Sequence, residues 1–244
     1  MTRPTVLLTH GVGSTIEDSF GPLLAPLARD HNVIAHDYPG SGATPAEPLT
    51  LDRLADRLVA EVTGPFTVLG FSTGSAVAVR IATRYPDRVT GLVLTAGFAY
   101  PEPHLRLALK LWRRLVESGD RDALAEYLTL MCHSESHLAA NDLPALVSGL
   151  AKWLAEDPTP GVLHQLEMAL AVDVRAELAG IRVPTLVIPA RADALATPGH
   201  SRVLAEGIPG ARLAELDCGH AVAVERGAEW AGLVLGFLSS VAGG

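Results

Sequence analysis

The stretch TVLGFSTGSAVAVRIA, Thr67 to Ala82, runs apolar, then glycine, then serine, then apolar again. Its centre is Gly70-Phe71-Ser72-Thr73-Gly74. The continuous apolar run before Gly70 suits a strand buried on both faces, and the run after Gly74 has helical spacing. Two readings of Ser72 are open. In one, the glycines make a turn and the serine caps the helix. In the other, a strained turn holds the serine up as a nucleophile. The rest of the chain has to supply partners for the second.

Outward from this turn the chain alternates short apolar runs with longer amphipathic ones. Segments 5–10, 32–37, 66–70, 89–96, 184–190 and 211–217 read as strands. Segments 20–30, 50–62, 73–85, 198–207 and 225–240 read as helices. Such alternation predicts an α/β fold: a doubly wound, mostly parallel sheet of about six strands with helices on both faces. It breaks once. Between about Phe98 and Gly180 four helical stretches follow one another without a convincing strand. The expected organisation is a core of residues 1–97 and 181–244, with 98–180 forming a helical cap over the strand ends.

Bulk composition narrows the function. The 244 residues include 48% hydrophobic ones, enough for one packed core. The formal net charge of −8 argues against nucleic acid or an anionic membrane as partner. Arg106, Lys110, Arg113 and Arg114 cluster in sequence but read as a solvated helix face. Two cysteines, Cys132 and Cys218, make no disulfide framework. There is no apolar run of the roughly 18 residues needed to span a bilayer and no recognisable leader. A soluble cytoplasmic protein acting on a small molecule is expected, its oligomeric state open.

Ligands of an open parallel sheet sit beyond the carboxyl ends of its strands. Polar residues at those ends are therefore candidates. Ser72 follows the third strand, Asp193 the fifth and His220 the sixth. A serine hydroxyl needs a base, and histidine titrates near neutrality. The imidazole needs a carboxylate on its other nitrogen, and the developing oxyanion needs two backbone N–H donors. The N–H of Thr73 points with the Ser72 hydroxyl, and HGVG after the first strand offers Val12. Asp217 is an alternative acid. The strand ending near Thr95 is followed by TAGFAY, which has no carboxylate.

At this point the chain resembles the α/β-hydrolase family. LTHGVGST resembles the family's His-Gly oxyanion loop, and HDYPGSGAT its Asp-x-Pro-Gly-x-Gly loop. GFSTG resembles the nucleophile elbow, PARADALATP the acid loop and DCGHAVAVE the histidine loop. The resemblance implies Ser72 as nucleophile, Asp193 as acid and His220 as base. It also implies a core lacking the family's first two strands. Ser75 stands where many relatives have a further glycine, and is read as tolerated variation. A serine at 72 argues against relatives that need a carboxylate nucleophile, the epoxide hydrolases and haloalkane dehalogenases.

Around the candidate triad, His10 is expected to order the oxyanion loop, Asp37 to be a loop-bonding residue, with active-site contact as the alternative, and Cys218 to be a small buried residue. Phe98, Trp112, Met131 and Ala221 are candidate pocket residues. The cap histidines His104, His133, His137 and His164 show no metal-ligand spacing, so neither metal nor cofactor is expected. The expected activity is hydrolysis of a small, fairly apolar ester, thioester or lactone through an acyl-enzyme. Relatives of this kind include esterases, enol-lactonases and non-haem haloperoxidases. The same triad also serves acyl transfer, elimination, cyclisation or C–C cleavage, and a small-molecule receptor on this fold is a further alternative.

Overall fold

The computed structural model describes residues 3–156 and 159–242. Its sheet has six strands, all parallel: β1 (Thr5–Thr9), β2 (Asn32–Ala35), β3 (Phe66–Phe71), β4 (Val89–Thr95), β5 (Thr185–Ile188) and β6 (Arg212–Leu213). Their order across the sheet is β2-β1-β3-β4-β5-β6. Period-two alternation sorts the strand side chains. Val6, Leu8, Leu69, Phe71, Val93 and Ile188 pack on one face. Leu7, Phe66, Val68, Leu92, Leu94 and Val187 pack on the other. Both faces are covered, as the continuous apolar strands require.

On the first face lie α1 (Ile16–Asp30) and α11 (Val222–Ala242), bringing Phe20, Leu23, Leu27, Trp230 and Val234. On the second lie α2 (Leu51–Ala60), α3 (Thr73–Arg84) and α10 (Pro198–Gly207), bringing Leu54, Leu58, Val77, Ile81 and Leu204. Helix α1 starts at Ile16, four residues before the expected boundary. Thr15 and Asp18 form a reciprocal capping box, and the Asp37 carboxylate accepts the Ile16 N–H at 2.7 Å. Helix α11 bends at Arg226, whose φ and ψ of −140° and 33° are not helical. Strand β6 is shorter than expected. It is the sheet edge, both its residues are exposed, and pairing resumes as a single bridge between Ala190 and Leu216.

The helical insertion between β4 and β5 contains α4 (Pro103–Ser118), α5 (Arg121–Cys132), α7 (Leu143–Ala155) and α8 (Val162–Ala171), the four stretches legible in the sequence. Two short helices, α6 (Glu135–Ala140) and α9 (Arg175–Leu178), were not expected. Side-chain oxygens of Glu102, Asp120, Ser134 and Asp142 cap α4, α5, α6 and α7, which stops and restarts the chain between them. Leu105, Leu109, Trp112 and Leu128 join the core on the α3 face, so the insertion is packed onto the sheet layer. Among the described residues no helix is long and apolar enough to cross a membrane.

Ser75, the departure from the usual glycine, has a structural role. Its hydroxyl donates to the carbonyl oxygens of Gly70 (3.2 Å) and Thr95 (3.4 Å), joining the ends of β3 and β4. Gly97 makes the room, because a Cβ there would overlap the Ser75 side chain. Gly97→Ala is therefore expected to cost about 1–3 kcal/mol by overpacking. Ser75→Gly alone should cost about 1 kcal/mol. The double variant should recover part of the loss, with a coupling of about 1 kcal/mol in urea unfolding. Strictly additive losses would show that the two residues do not compete for this space.

Candidate active site

Strand β3 ends at Phe71 and α3 begins at Thr73, which leaves Ser72 alone in the turn. Its φ and ψ are 54° and −125°, a conformation that L-residues avoid. The Ser72 N–H donates to the Thr95 carbonyl at 2.9 Å, and the Ser75 N–H donates to the Ser72 carbonyl at 2.9 Å. Both flanking glycines are required by close approach. A Cβ on Gly74 would overlap the Thr9 carbonyl oxygen, and one on Gly70 would lie 2.6 Å from the Gly74 carbonyl oxygen. Thr9 Oγ1 in turn donates to the Gly74 carbonyl at 2.9 Å. Ser72 makes no side-chain cap to α3. The turn frees its hydroxyl instead of using it to start the helix.

That hydroxyl lies 3.0 Å from His220 Nε2, and His220 Nδ1 lies 2.7 Å from Asp193 Oδ2. The partners fix the tautomer. A carboxylate accepts, so Nδ1 carries the proton and donates to Asp193, which leaves Nε2 to accept from Ser72. Asp193 is itself held. Its Oδ1 accepts the N–H groups of Leu195 and Ala196, each at 2.9 Å, and its side chain is fully shielded from solvent. Asp217, the alternative acid, is exposed and pairs with Arg191 at 3.2 Å. The His220 Nδ1 is taken by Asp193. The structure thus brings together Ser72, Asp193 and His220 from the ends of β3, β5 and β6.

The N–H groups of Val12 and Thr73 have no hydrogen-bond partner among the described residues. On either side of Val12 the loop is pinned. The His10 ring is buried and stacked on Tyr38 at 3.7 Å. Its Nε2 accepts the Tyr38 N–H at 2.8 Å, so its Nδ1–H is free to donate to the Gly11 carbonyl at 2.8 Å. The Gly13 N–H donates to Gln165 Oε1 at 2.9 Å. His10 orders this loop, and Asp37 bonds the start of α1.

A cavity of about 320 Å³ opens onto Ser72 and His220. Trp112 and Ala221 line it, with Leu128, Leu150, Trp153 and Leu195. The other two pocket candidates do not. Phe98 is buried on the α3 side of the sheet with its ring edge-on to His200, and Met131 packs into the core. Trp153, on α7, also reaches the cavity wall. Among the described residues the lining contains no lysine or arginine. Cys132 also lines it, but burial raises its thiol pKa to about 12, with the Asp193 charge adding to this; Cys218 is likewise raised to about 12 by burial. Both stay protonated thiols at neutral pH. A larger groove of about 900 Å³ lies at the opposite, amino end of the strands, lined by residues such as Thr5 and Phe66. It adjoins none of the candidate triad. Among the described residues no group of three or more His, Cys, Asp or Glu is placed to hold a metal ion.

Two polar residues unrecognised in the sequence tie the insertion to this site. Glu225 accepts the Ser134 N–H (2.8 Å), the Ser134 hydroxyl (2.6 Å) and the Gly219 N–H (3.2 Å). The Ala221 N–H donates to the Cys132 carbonyl at 2.8 Å. The loop that carries His220 is thereby clamped to the end of α5. These bonds hold the Glu225 carboxyl below its ordinary pKa against the opposing effect of burial. Gln165, on α8, does the equivalent for the Val12 loop.

A family model described as the alpha/beta hydrolase family matches residues 6–233. The chain belongs to the alpha/beta hydrolase family. Its relatives there include the pyrrolizixenacetamide deacetylase of Xenorhabdus hominickii, 31% identical over 97% of this chain and 91% of that protein. A pimeloyl-(acyl-carrier protein) methyl ester esterase of Neisseria meningitidis is 30% identical over 97% of this chain and 94% of its own. Among solved structures, the enol-lactonase from Burkholderia xenovorans superposes with a TM-score of 0.84 at 26% identity, covering 98% of this chain and 92% of that one. A thermophilic esterase from Thermogutta terrifontis gives the same TM-score and identity over 98% and 91%. The two solved structures share the fold of this chain over nearly all of its length.

His10 has a consequence for stability. Burial lowers its pKa from 6.5 to about 4. The unfolded chain therefore binds a proton near pH 6.5 that the folded chain refuses until about pH 4. Its contribution is full above pH 6.5, lost as pH falls from 6.5 to 4, and amounts to about 3 kcal/mol. Burial moves His200 in the same direction. Urea midpoints between pH 7.5 and 4.5 should fall steeply in the native protein and less steeply in His10→Asn. Equal slopes would mean that His10 is not held neutral by the fold.

Proposed function

We propose that this protein is a serine hydrolase of the carboxylic ester class, acting on a small, neutral and largely apolar ester, thioester or lactone. The observation that carries this reading is His220 seated between Ser72 at 3.0 Å and Asp193 at 2.7 Å, beneath an apolar cavity. Ser72 Oγ attacks the acyl carbon while His220 Nε2 takes its proton. Asp193 stabilises the imidazolium. The carbonyl oxygen, now an oxyanion, rests on the free N–H groups of Val12 and Thr73. Collapse expels the alcohol or thiol, protonated by His220, and leaves an acyl group on Ser72. Water then attacks with His220 again as base, regenerating the serine and releasing the acid. The relatives' named activities, removal of an acetyl group and cleavage of a methyl ester or an enol lactone, share attack at an acyl carbon.

The lining supports the substrate class. Trp112, Trp153 and the surrounding leucines offer apolar and aromatic surface. The acidic lining residue, Asp18, is exposed, and among the described residues no lysine or arginine lines the cavity to pair with an anionic acyl group. The functional bounds of the cap, residues 98–180, belong to this reading, with α4, α5 and α7 forming the roof.

Ser72→Ala should lower kcat for p-nitrophenyl butyrate by on the order of 10⁴–10⁶ and abolish labelling by a fluorophosphonate probe. A variant that keeps most of its turnover removes the mechanism. If the native protein labels at Ser72 yet cleaves nothing in a panel of short- and medium-chain esters and thioesters, the triad serves transfer or elimination instead. Trp153→Ala should raise KM for the butyrate ester about 5-fold or more while kcat changes about 2-fold, since it removes wall surface but no reacting group. An unchanged KM would place the acyl chain elsewhere.

A further inference from the structure

Gln165 is a fully buried polar side chain on a helix whose other buried residues are mostly apolar. Such a group is costly unless its amide is satisfied. Its Oε1 accepts the Gly13 N–H at 2.9 Å. Its Nε2 donates to Ser41 Oγ at 2.9 Å and to the Pro39 carbonyl at 3.3 Å. A backbone N–H only donates and a carbonyl only accepts, so these partners determine which way the amide faces. The helix is seated closely enough for this. The Gly161 N–H donates to the Gly40 carbonyl at 3.0 Å, and a Cβ on either glycine would run into the other's backbone.

Two planar peptide units flank the Val12 Cα. In the first, the Gly11 carbonyl and the Val12 N–H point in opposite directions, because the unit is planar and trans. His10 Nδ1–H holds that carbonyl at 2.8 Å and so sets where the Val12 N–H points. In the second, the Gly13 N–H is held by Gln165. Without that bond the second unit is free to rotate about the Val12 Cα, and Gly13, at φ +60°, has the freedom to follow. Rotation there would place the Gly13 N–H in competition with the Val12 N–H for the reacting oxygen.

The geometry points to Gln165 as a positioning residue: from the inserted helix α8 it fixes the Gly11–Gly13 loop so that the Val12 N–H alone is presented to the oxyanion. This rests on the reading of Val12 as an oxyanion donor. Gln165 touches no reacting atom. Its effect is confined to the transition state, where the oxyanion exists, and spares the ground-state binding of substrate. The insertion thus has two separable roles in this site, a wall of aromatic and aliphatic side chains and an internal strut to the oxyanion loop.

The test compares Gln165→Leu, Gln165→Glu and Ser41→Ala with the native protein on p-nitrophenyl butyrate. Two inhibitors accompany it: butylboronic acid, whose tetrahedral adduct on Ser72 places an oxygen in the oxyanion site, and butyramide as a ground-state mimic. Gln165→Leu should lose about 10- to 100-fold in kcat, with KM within about 3-fold. Its affinity for the boronic acid should fall by the same factor as kcat, and that for butyramide should hold. Gln165→Glu, which still offers an acceptor to Gly13, should retain more kcat than Gln165→Leu; if the leucine variant does not fold, the glutamate variant read with both inhibitors decides. Ser41→Ala loosens the other end of the amide but leaves Gly13 held, and should lose less than about 3-fold.

A kcat preserved in Gln165→Leu, a loss confined to KM, or an equal loss in Ser41→Ala overturns the assignment. Failure of the underlying reading looks different. The native protein would then bind the boronic acid no more tightly than butyramide, or Ser72→Ala would stay active.

Discussion

The chain depends on a close contact between two backbones at the carboxyl end of the sheet. Gly74, in the first turn of α3, lies against the Thr9 carbonyl at the end of β1, closer than any side chain permits. This contact lets α3 leave β3 without an intervening loop, and it forces the residue between them into a conformation that costs about 1–3 kcal/mol. The cost is offset by what surrounds the turn. The Ser72 N–H is taken by Thr95 on the neighbouring strand, Thr9 Oγ1 holds the Gly74 carbonyl, and Ser75 staples β3 to β4. Ala96, the residue that follows β4, also has positive φ, so the strain is shared across two adjacent strand ends. A side chain presented this way has little freedom, which suits a group that must meet both a base and an acyl carbon.

Around this turn the polar contacts form two clamps between layers. Glu225 and Ser134 join the histidine loop to the insertion on one side. Gln165, Ser41 and Gly13 join the oxyanion loop to it on the other. Both clamps bury polar groups that are matched by partners, the arrangement in which polar burial specifies geometry. The inserted helices are therefore part of the scaffold that sets loop positions, as well as a cover over the cavity.

Most of the fold was legible because the sheet is buried on both faces, which leaves strands as continuous apolar runs. The candidate triad was legible for a local reason. Each member lies within a few residues of the end of a recognisable strand, and glycines mark the turns at Ser72 and His220. The rest failed where the deciding partner is remote in sequence. Gln165 bonds residues 124 to 152 positions away, and its only mark is one amide in an apolar helix. Glu225 stood inside a recognised segment, yet nothing local says that it reaches Ser134. Phe98 and Met131 are apolar residues beside the right elements, but which face of a helix or strand end meets a cavity depends on packing angles that periodicity does not carry. The start of α1 was missed although Thr15 and Asp18 spell a capping box.

The absence of lysine and arginine from the cavity wall bears on how a catalytic cycle would finish. Ester cleavage as proposed ends with a carboxylate in largely apolar surroundings, within a chain of net charge −8. With neither lysine nor arginine among the described lining residues, a newly formed anion is better solvated outside. On the proposed reading, a site that suits a neutral acyl group favours release of the acid it forms.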